Sequence, residues 1–226
     1  MCFHLLSLLG EKISPQTIRR TLHQLGYAFK RPRLWAGPLG EEPDELLKAK
    51  EAVKKGDGVL IYQDETSFRL LPLLRKMWQK VGEQVRILTP VGWNKYFTLF
   101  GALDSATGRL IWRIFDKANS ENFISLLEDL LLIYPKGKIY LVLDRATYHK
   151  SKKVKEWLKG NPRLILIYLP ARSPQMNPIE PIWRWLKGRV AANRCYEGVE
   201  ELKEVCRNCL SSLSEEDALR VSGLAA

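Results

Sequence analysis

Asp64, Asp144 and Glu180 are the residues whose type and setting point most directly to chemistry. Asp64 closes the apolar run Val59-Leu60-Ile61-Tyr62 within Tyr62-Gln63-Asp64-Glu65-Thr66, and Asp144 closes the run Ile139 to Leu143. Both runs read as strands buried on both faces, which places them near the centre of a sheet, and ligands gather at the strand ends of such sheets. A carboxylate against that apolar framework needs a cation or several donors to stay ionised, and two side by side need one still more. Glu180 is the third acid, in Ser173-Pro174-Gln175-Met176-Asn177-Pro178-Ile179-Glu180. Three hard oxygen ligands with no His or Cys nearby suit magnesium or manganese rather than zinc. Plainer readings stand beside this one. An acid at a strand end also serves as a turn residue or as half of an ion pair. Asn177 to Glu180 also spells a capping box, with Asn177 at the cap, Pro178 first and Glu180 third.

Those acids need strands and a helix to hold them, and the pattern from Gly58 onward supplies both. Tyr96 to Leu103 and Arg109 to Phe115 flank Asp104-Ser105-Ala106-Thr107-Gly108, a hairpin signature. Asn119 or Ser120 caps a helix running to Tyr134 and stopped by Pro135. Ser151 caps a basic helix ending at Gly160, Leu164 to Leu169 is a further strand, and after the loop Pro170 to Asn177 the remainder reads as helical. Strand, hairpin, helix, strand, helix, strand, helix argues for an α/β fold, a mixed sheet covered by helices.

Upstream of residue 56 the character differs. Ser14-Pro15 reads as a cap followed by proline at the first helical position, Ile18, Leu22 and Leu25 make an apolar stripe, and Gly26 supplies the stop. Arg19 and Arg20 fall off that stripe, and Lys30-Arg31-Pro32-Arg33 follows as a basic extended arm. This resembles the recognition helix of a helix-turn-helix, and reads equally as a small amphipathic surface helix. Gly37 to Pro43 looks like a linker, and Asp44 to Lys55 like a charged connecting helix.

Composition narrows the class. Hydrophobic residues at 46% exclude a disordered chain, and no apolar run approaches the roughly 18 residues that span a bilayer. Met1 to Gly10 is apolar but lacks a basic leader and a cleavage site, so no secretory signal is expected. Four cysteines are too few for a disulfide scaffold, which fits a reducing cytoplasm. The net charge is +11, and it is concentrated: twelve Lys/Arg against two acids from Arg145 to Arg194, and six basic residues with no acid from Lys12 to Gly40. Such runs suit a polyanion, most often nucleic acid, unless they are solvated faces balanced elsewhere.

The three acidic blocks, with His149-Lys150 after Asp144 and Trp183 after Glu180, resemble the catalytic blocks of mariner-type DDE transposases, in particular the bacterial insertion-sequence branch. The 35 residues between Asp144 and Glu180 match the close spacing of that group. The resemblance implies a ribonuclease-H-like mixed sheet flanked by helices over residues 57–226, a linker and connecting helix over 37–56, and a partial helix-turn-helix remnant over 1–36. It implies that Asp64, Asp144 and Glu180 hold two Mg2+ or Mn2+ ions and that the enzyme cuts DNA at transposon ends and joins them to target DNA. Its partners would be double-stranded DNA and, at full length, a second copy in a homodimer, in a bacterial cytoplasm and on the nucleoid. Arg19, Arg20, Lys30, Arg31, Arg33, Lys150, Lys152, Lys153, Arg184 and Lys187 are the expected DNA contacts, with Glu180, Arg184 and Lys187 on one helical face.

Three departures from the family pattern stand out. Arg145 takes the place of a small or amide residue, where it would either pair with Asp144 and compete with metal or contact DNA. Arg172 replaces an aromatic, and only the last helix of two helix-turn-helix units precedes the catalytic region. The alternative is thus a catalytically silent, truncated DNA-binding remnant. Cys206 and Cys209 lie on an apolar helix face and are expected to pack, as are Trp183 and Trp185, unless one of the two faces DNA. His149 is expected to be a DNA contact or a surface residue.

Overall fold

Strand β1 (Val59–Arg69) runs through the middle of the protein and changes partners along its length. Its first half pairs in parallel with β4 (Ile139–Leu143), from Val59 opposite Ile139 to Tyr62 opposite Val142. Its antiparallel partner is β2 (Tyr96–Asp104), from Ile61 opposite Asp104 to Arg69 opposite Tyr96. With β3 (Leu110–Phe115) and β5 (Leu164–Tyr168) at the edges, the sheet order is β3-β2-β1-β4-β5. The computed structural model describes residues 14–28, 41–89, 92–171 and 173–225. The chain divides into two compact units, Met1–Gly37 and Pro38–Ala226.

The hairpin turn and the caps read at Asn119 and Ser151 form. Asp104 Oδ1 accepts from Ala106 N at 2.8 Å and closes the hairpin, where Gly108 takes the left-handed φ of 77°. Asn119 caps α3 (Ser120–Ile133) by accepting from Asn122 N, and Ser151 caps α4 (Lys152–Lys159) by accepting from Val154 N. One face of the sheet, with Ile61, Phe100 and Leu141, packs on Phe123 and Leu127 of α3 and Val154 of α4. On the other face α2 (Asp44–Lys54) lays Leu46 and Ala49 against Leu60, Tyr62 and Val142. Beside it α5 (Glu180–Val190), α6 (Val199–Ser211) and α7 (Glu215–Ser222) cover Phe68, Phe97 and Leu99. Buried Cys206 and partly buried Cys209 are part of that packing, as expected.

One expectation needs correcting. Asp64 does not end its strand. The β1 ladder with β2 continues through Arg69, because the run beyond Asp64 alternates buried Thr66 and Phe68 with exposed Ser67 and Arg69. Only the parallel pairing with β4 stops before Asp64.

In the first unit, α1 (Pro15–Gln24) begins where Ser14 Oγ accepts from Thr17 N at 3.1 Å, and Gly26 ends it at φ 81°. Arg19 and Arg20 are exposed on it. The expected basic arm, with Lys30, Arg31 and Arg33, lies outside the described residues. Among the described residues no helix is long and apolar enough to cross a membrane.

Candidate active site

Three elements converge on one cleft. β1 carries Asp64 just past the end of its pairing with β4, Asp144 is the first residue after β4, and Glu180 is the first residue of α5. All three line a cleft of about 360 Å³, together with Asn177, Ser173 and Arg145. Asn177 is buried and joins the incoming loop to the sheet, its Nδ2 donating to Gln63 O at 2.9 Å while its Oδ1 accepts from Ile179 N at 3.3 Å. The capping box is therefore not formed. Asn177 turns its amide to a strand beside Asp64, the helix starts three residues later, and Glu180 stands first in it with Ile179 at the cap.

Trp183, one turn along α5, is buried and donates its indole N–H to Asp64 Oδ2 at 3.1 Å. It packs as expected, with the added polar contact. Trp185 is partly buried against the same core, under the Arg189 guanidinium at 4.9 Å.

The electrostatics are uneven. Burial first, then the Glu65 and Glu180 carboxylates, push the Asp64 carboxyl up to about 8. Asp144 is held below its ordinary value by His149 beside it, against some burial, and Ala146 N donates to its Oδ1 at 2.9 Å. His149 is neither a surface residue nor placed to meet DNA. It is 1% exposed, with Nε2 at 3.1 Å from Glu65 Oε1 and Nδ1 at 3.2 Å from Asp144 Oδ1. Burial opposes charge on that ring, but the two carboxylates outweigh it and raise its pKa to about 9.

A His does therefore stand near the acids. Potential ligand atoms of Glu65, Asp144 and His149 lie within 4.8 Å of one another. Sequence reading missed Glu65. Its only signal was adjacency to Asp64, since strand alternation turns neighbouring side chains to opposite faces. Arg145 does not pair with Asp144. Its Nε donates to Leu169 O at 3.0 Å, at the end of β5.

The expected basic contacts of the second unit fall in two places. Arg184 and Lys187 follow Glu180 along α5 and, with Arg75, line a second cleft beside Glu180 and Trp183. Burial lowers the Lys187 pKa. Lys150 lies 4.8 Å over the Tyr168 ring, Lys153 donates to Glu121 Oε1 at 2.8 Å, and Lys152 is exposed.

With this geometry in view, comparison with known proteins identifies the relatives. The insertion element IS630 39 kDa protein of Shigella sonnei is 31% identical over 211 residues, covering 92% of this chain and 61% of its own length. The transposable element Tc3 transposase of Caenorhabditis elegans is 27% identical over 203 residues, covering 84% of this chain and 61% of its own length. The chain thus spans about three fifths of the length of these curated relatives. Among solved structures, the Mos1 transposase paired-end complex with left transposon end superposes with a TM-score of 0.69 at 17% identity, covering 97% of this chain and 69% of that one. Other paired-end complexes of the same transposase contain Mn or Mg. The likeness bears out the ribonuclease-H-like fold, a mixed five-stranded sheet flanked by helices. The sequence model for the DDE superfamily endonuclease family matches residues 59–203, well over half of the chain, and the chain belongs to that family.

Proposed function

We propose that this chain carries the catalytic centre of a transposase that cuts DNA at insertion-element ends and joins those ends to target DNA. The observation that carries the reading is one cleft lined by Asp64, Asp144 and Glu180, in which burial and then neighbouring carboxylates hold Asp64 up to about 8. Acids crowded in this way call for a cation, and an oxygen donor set fits Mg2+ or Mn2+. Asp64, Asp144 and Glu180 are the proposed ligands of two such ions. Held there, such ions would supply the Lewis acidity that activation of a water or 3′-hydroxyl and charge relief on the departing phosphodiester oxygen require.

The rest of the work belongs to the chain itself. Trp183 orients Asp64, and Asn177 fixes the loop that delivers Glu180. Arg184 and Lys187 extend the site along α5 and are proposed to meet phosphates, as are Lys150, Lys152 and Lys153. Residues 57–226 form the proposed catalytic domain, 37–56 its connection, and 1–36 a proposed DNA-binding region of helix-turn-helix kind touching DNA through Arg19, Arg20, Lys30, Arg31 and Arg33. The proposed partners are double-stranded DNA and a second copy at full length. The relatives that are transposases, one solved on a transposon end, support this reading.

The test is nicking of a supercoiled plasmid carrying the element end, with Mn2+. Wild type is expected to nick it, while Asp64→Asn, Asp144→Asn and Glu180→Gln fall to background. Metal-independent nicking, or activity retained in any of the three, overturns the assignment.

A further inference from the structure

Glu65 and His149 have no role in the reaction proposed above, yet both are tied to one of its acids. Alternation along β1 turns Asp64 toward α5 and Glu65 toward the face covered by α3. There Glu65 Oε1 accepts from Gln63 Nε2 at 2.7 Å and lies 3.1 Å from His149 Nε2. The opposite ring nitrogen, buried and without a hydrogen bond of its own, stands 3.2 Å from Asp144 Oδ1, at ion-pair distance. The imidazole is enclosed, with the Phe123 and Tyr148 rings each 4.3 Å away between centroids. Ala146 N donates to the same Asp144 oxygen. Both contacts on Asp144 therefore fall on Oδ1, leaving Oδ2 without a protein partner among the described residues.

We infer that Glu65 and His149 are positioning residues acting in series: Glu65 fixes the imidazole, and the imidazole fixes Asp144 with Oδ2 presented to a divalent ion. The inference rests on reading Asp144 as a metal ligand. A carboxylate already held by one oxygen loses little freedom when the other binds. Carboxylates that ligate metals are themselves commonly held by an outer layer of polar groups, and removing such a group typically weakens metal binding about 10- to 100-fold. Direct ligation through Glu65, Asp144 and His149 is the rival use of the same atoms. It is disfavoured because Glu65 Oε1 and His149 Nε2 already face each other and His149 Nδ1 is buried.

The experiment titrates the whole 226-residue chain with Mn2+ in the absence of DNA, counting free Mn2+ by electron paramagnetic resonance. Glu65→Gln and His149→Ala are each expected to weaken Mn2+ binding about tenfold, and the double variant no further than the weaker single. Glu65→Gln keeps the shape of the side chain, so it carries the test if His149→Ala does not fold. Loss of metal-free melting temperature with wild-type Mn2+ affinity would mean a merely structural pair and overturn the inference. Effects that multiply in the double variant would overturn the serial arrangement. Coupling of bound Mn2+ to a directly coordinated nitrogen would overturn positioning in favour of ligation. Asp144→Asn separates this from the site assignment. If it leaves Mn2+ binding intact, Asp144 is no ligand and both readings fail. If it abolishes binding while Glu65→Gln does not weaken it, the positioning role alone fails.

Discussion

Trp183 reaches Asp64 because the residue opposite Asp64 on the neighbouring strand is Gly101. A Cβ at position 101 would fall 2.4 Å from Trp183 Cη2 and 2.6 Å from Cζ2. The indole is buried with Ile179 close by, so it cannot swing aside. One glycine thus admits the helix that sets Glu180 beside Asp64.

Gly101→Ala is therefore expected to destabilise the fold by about 1–3 kcal/mol through overpacking. Gly188→Ala, within α5 and with nothing within 4 Å of the added methyl, should instead stabilise by about 0.5–1 kcal/mol. Urea melts of the two variants decide. Similar small effects would mean that Trp183 does not lie over Gly101.

Metal-free stability should fall as pH rises. Asp64 keeps its proton in the folded protein up to about 8, whereas the unfolded chain releases it near 3.8. Between those values the native state binds more protons, so the stability from this group is complete below the unfolded pKa and lost as pH climbs through about 8. His149, raised from 6.5 to about 9, contributes in the same sense. Melting temperatures without metal are expected to decline between about pH 4 and pH 9, and Asp64→Asn to flatten the decline. A rise instead would contradict the raised Asp64 pKa.

Much of this site was legible because its strands announce themselves. Ile139 to Leu143 is a continuous apolar run with Asp144 directly after it, and a run of that kind has few other homes. Asp64 was legible as a residue but misplaced as a terminus, since β1 passes from a run buried on both faces to an alternating one without a turn. Asn177 and Glu180 fit a local capping pattern, yet the Asn177 amide goes to Gln63, a partner 114 residues away that no local rule supplies. His149 and Glu65, 84 residues apart, meet only through the sheet and the packing of Phe123 and Tyr148. Patterns of period two and 3.6 report which face a side chain takes. They do not report which polar group waits there.

Binding to duplex DNA should weaken steeply with salt, each phosphate contact adding about 0.9 to the slope of log K against log salt. Arg184→Ala should reduce that slope by about one contact. Replacing Lys150, Lys152 and Lys153 together by Ala should reduce it further, because the exposed Lys153–Glu121 pair gives way readily to a phosphate. A salt-independent affinity would rule out phosphate tracking by these residues.

Glu180→Gln should be gentle on the fold and severe on metal binding. Glu180 is not the third residue of a capping box, so the change removes no cap. It relieves repulsion on Asp64 and should stabilise the metal-free protein by about 1 kcal/mol above about pH 8, where Asp64 is ionised, and little below it. Wild type should gain melting temperature from Mn2+ through preferential binding to the native state, and the variant should lose most of that gain. Equal Mn2+-induced shifts in the two proteins would remove Glu180 from the ligand set.

Arg145 follows Asp144 directly, and its side chain decides between two effects. A guanidinium paired with Asp144 would compete with a metal ion. One whose Nε donates to Leu169 O, after β5, does not. Arg145→Asn is thus expected to leave Mn2+ affinity unchanged when DNA is absent. It should cost about 1 kcal/mol or less in stability, because the hydrogen bond it removes is partly exposed. Its larger effect should appear on DNA, since an exposed cation lining the cleft lies where a phosphate backbone would approach three acids. Mn2+ titrations without DNA and duplex binding without Mn2+ separate the two effects. Tighter Mn2+ binding in the variant would show that Arg145 pairs with Asp144 in solution. Weaker duplex binding at unchanged Mn2+ affinity would place the guanidinium on the DNA path.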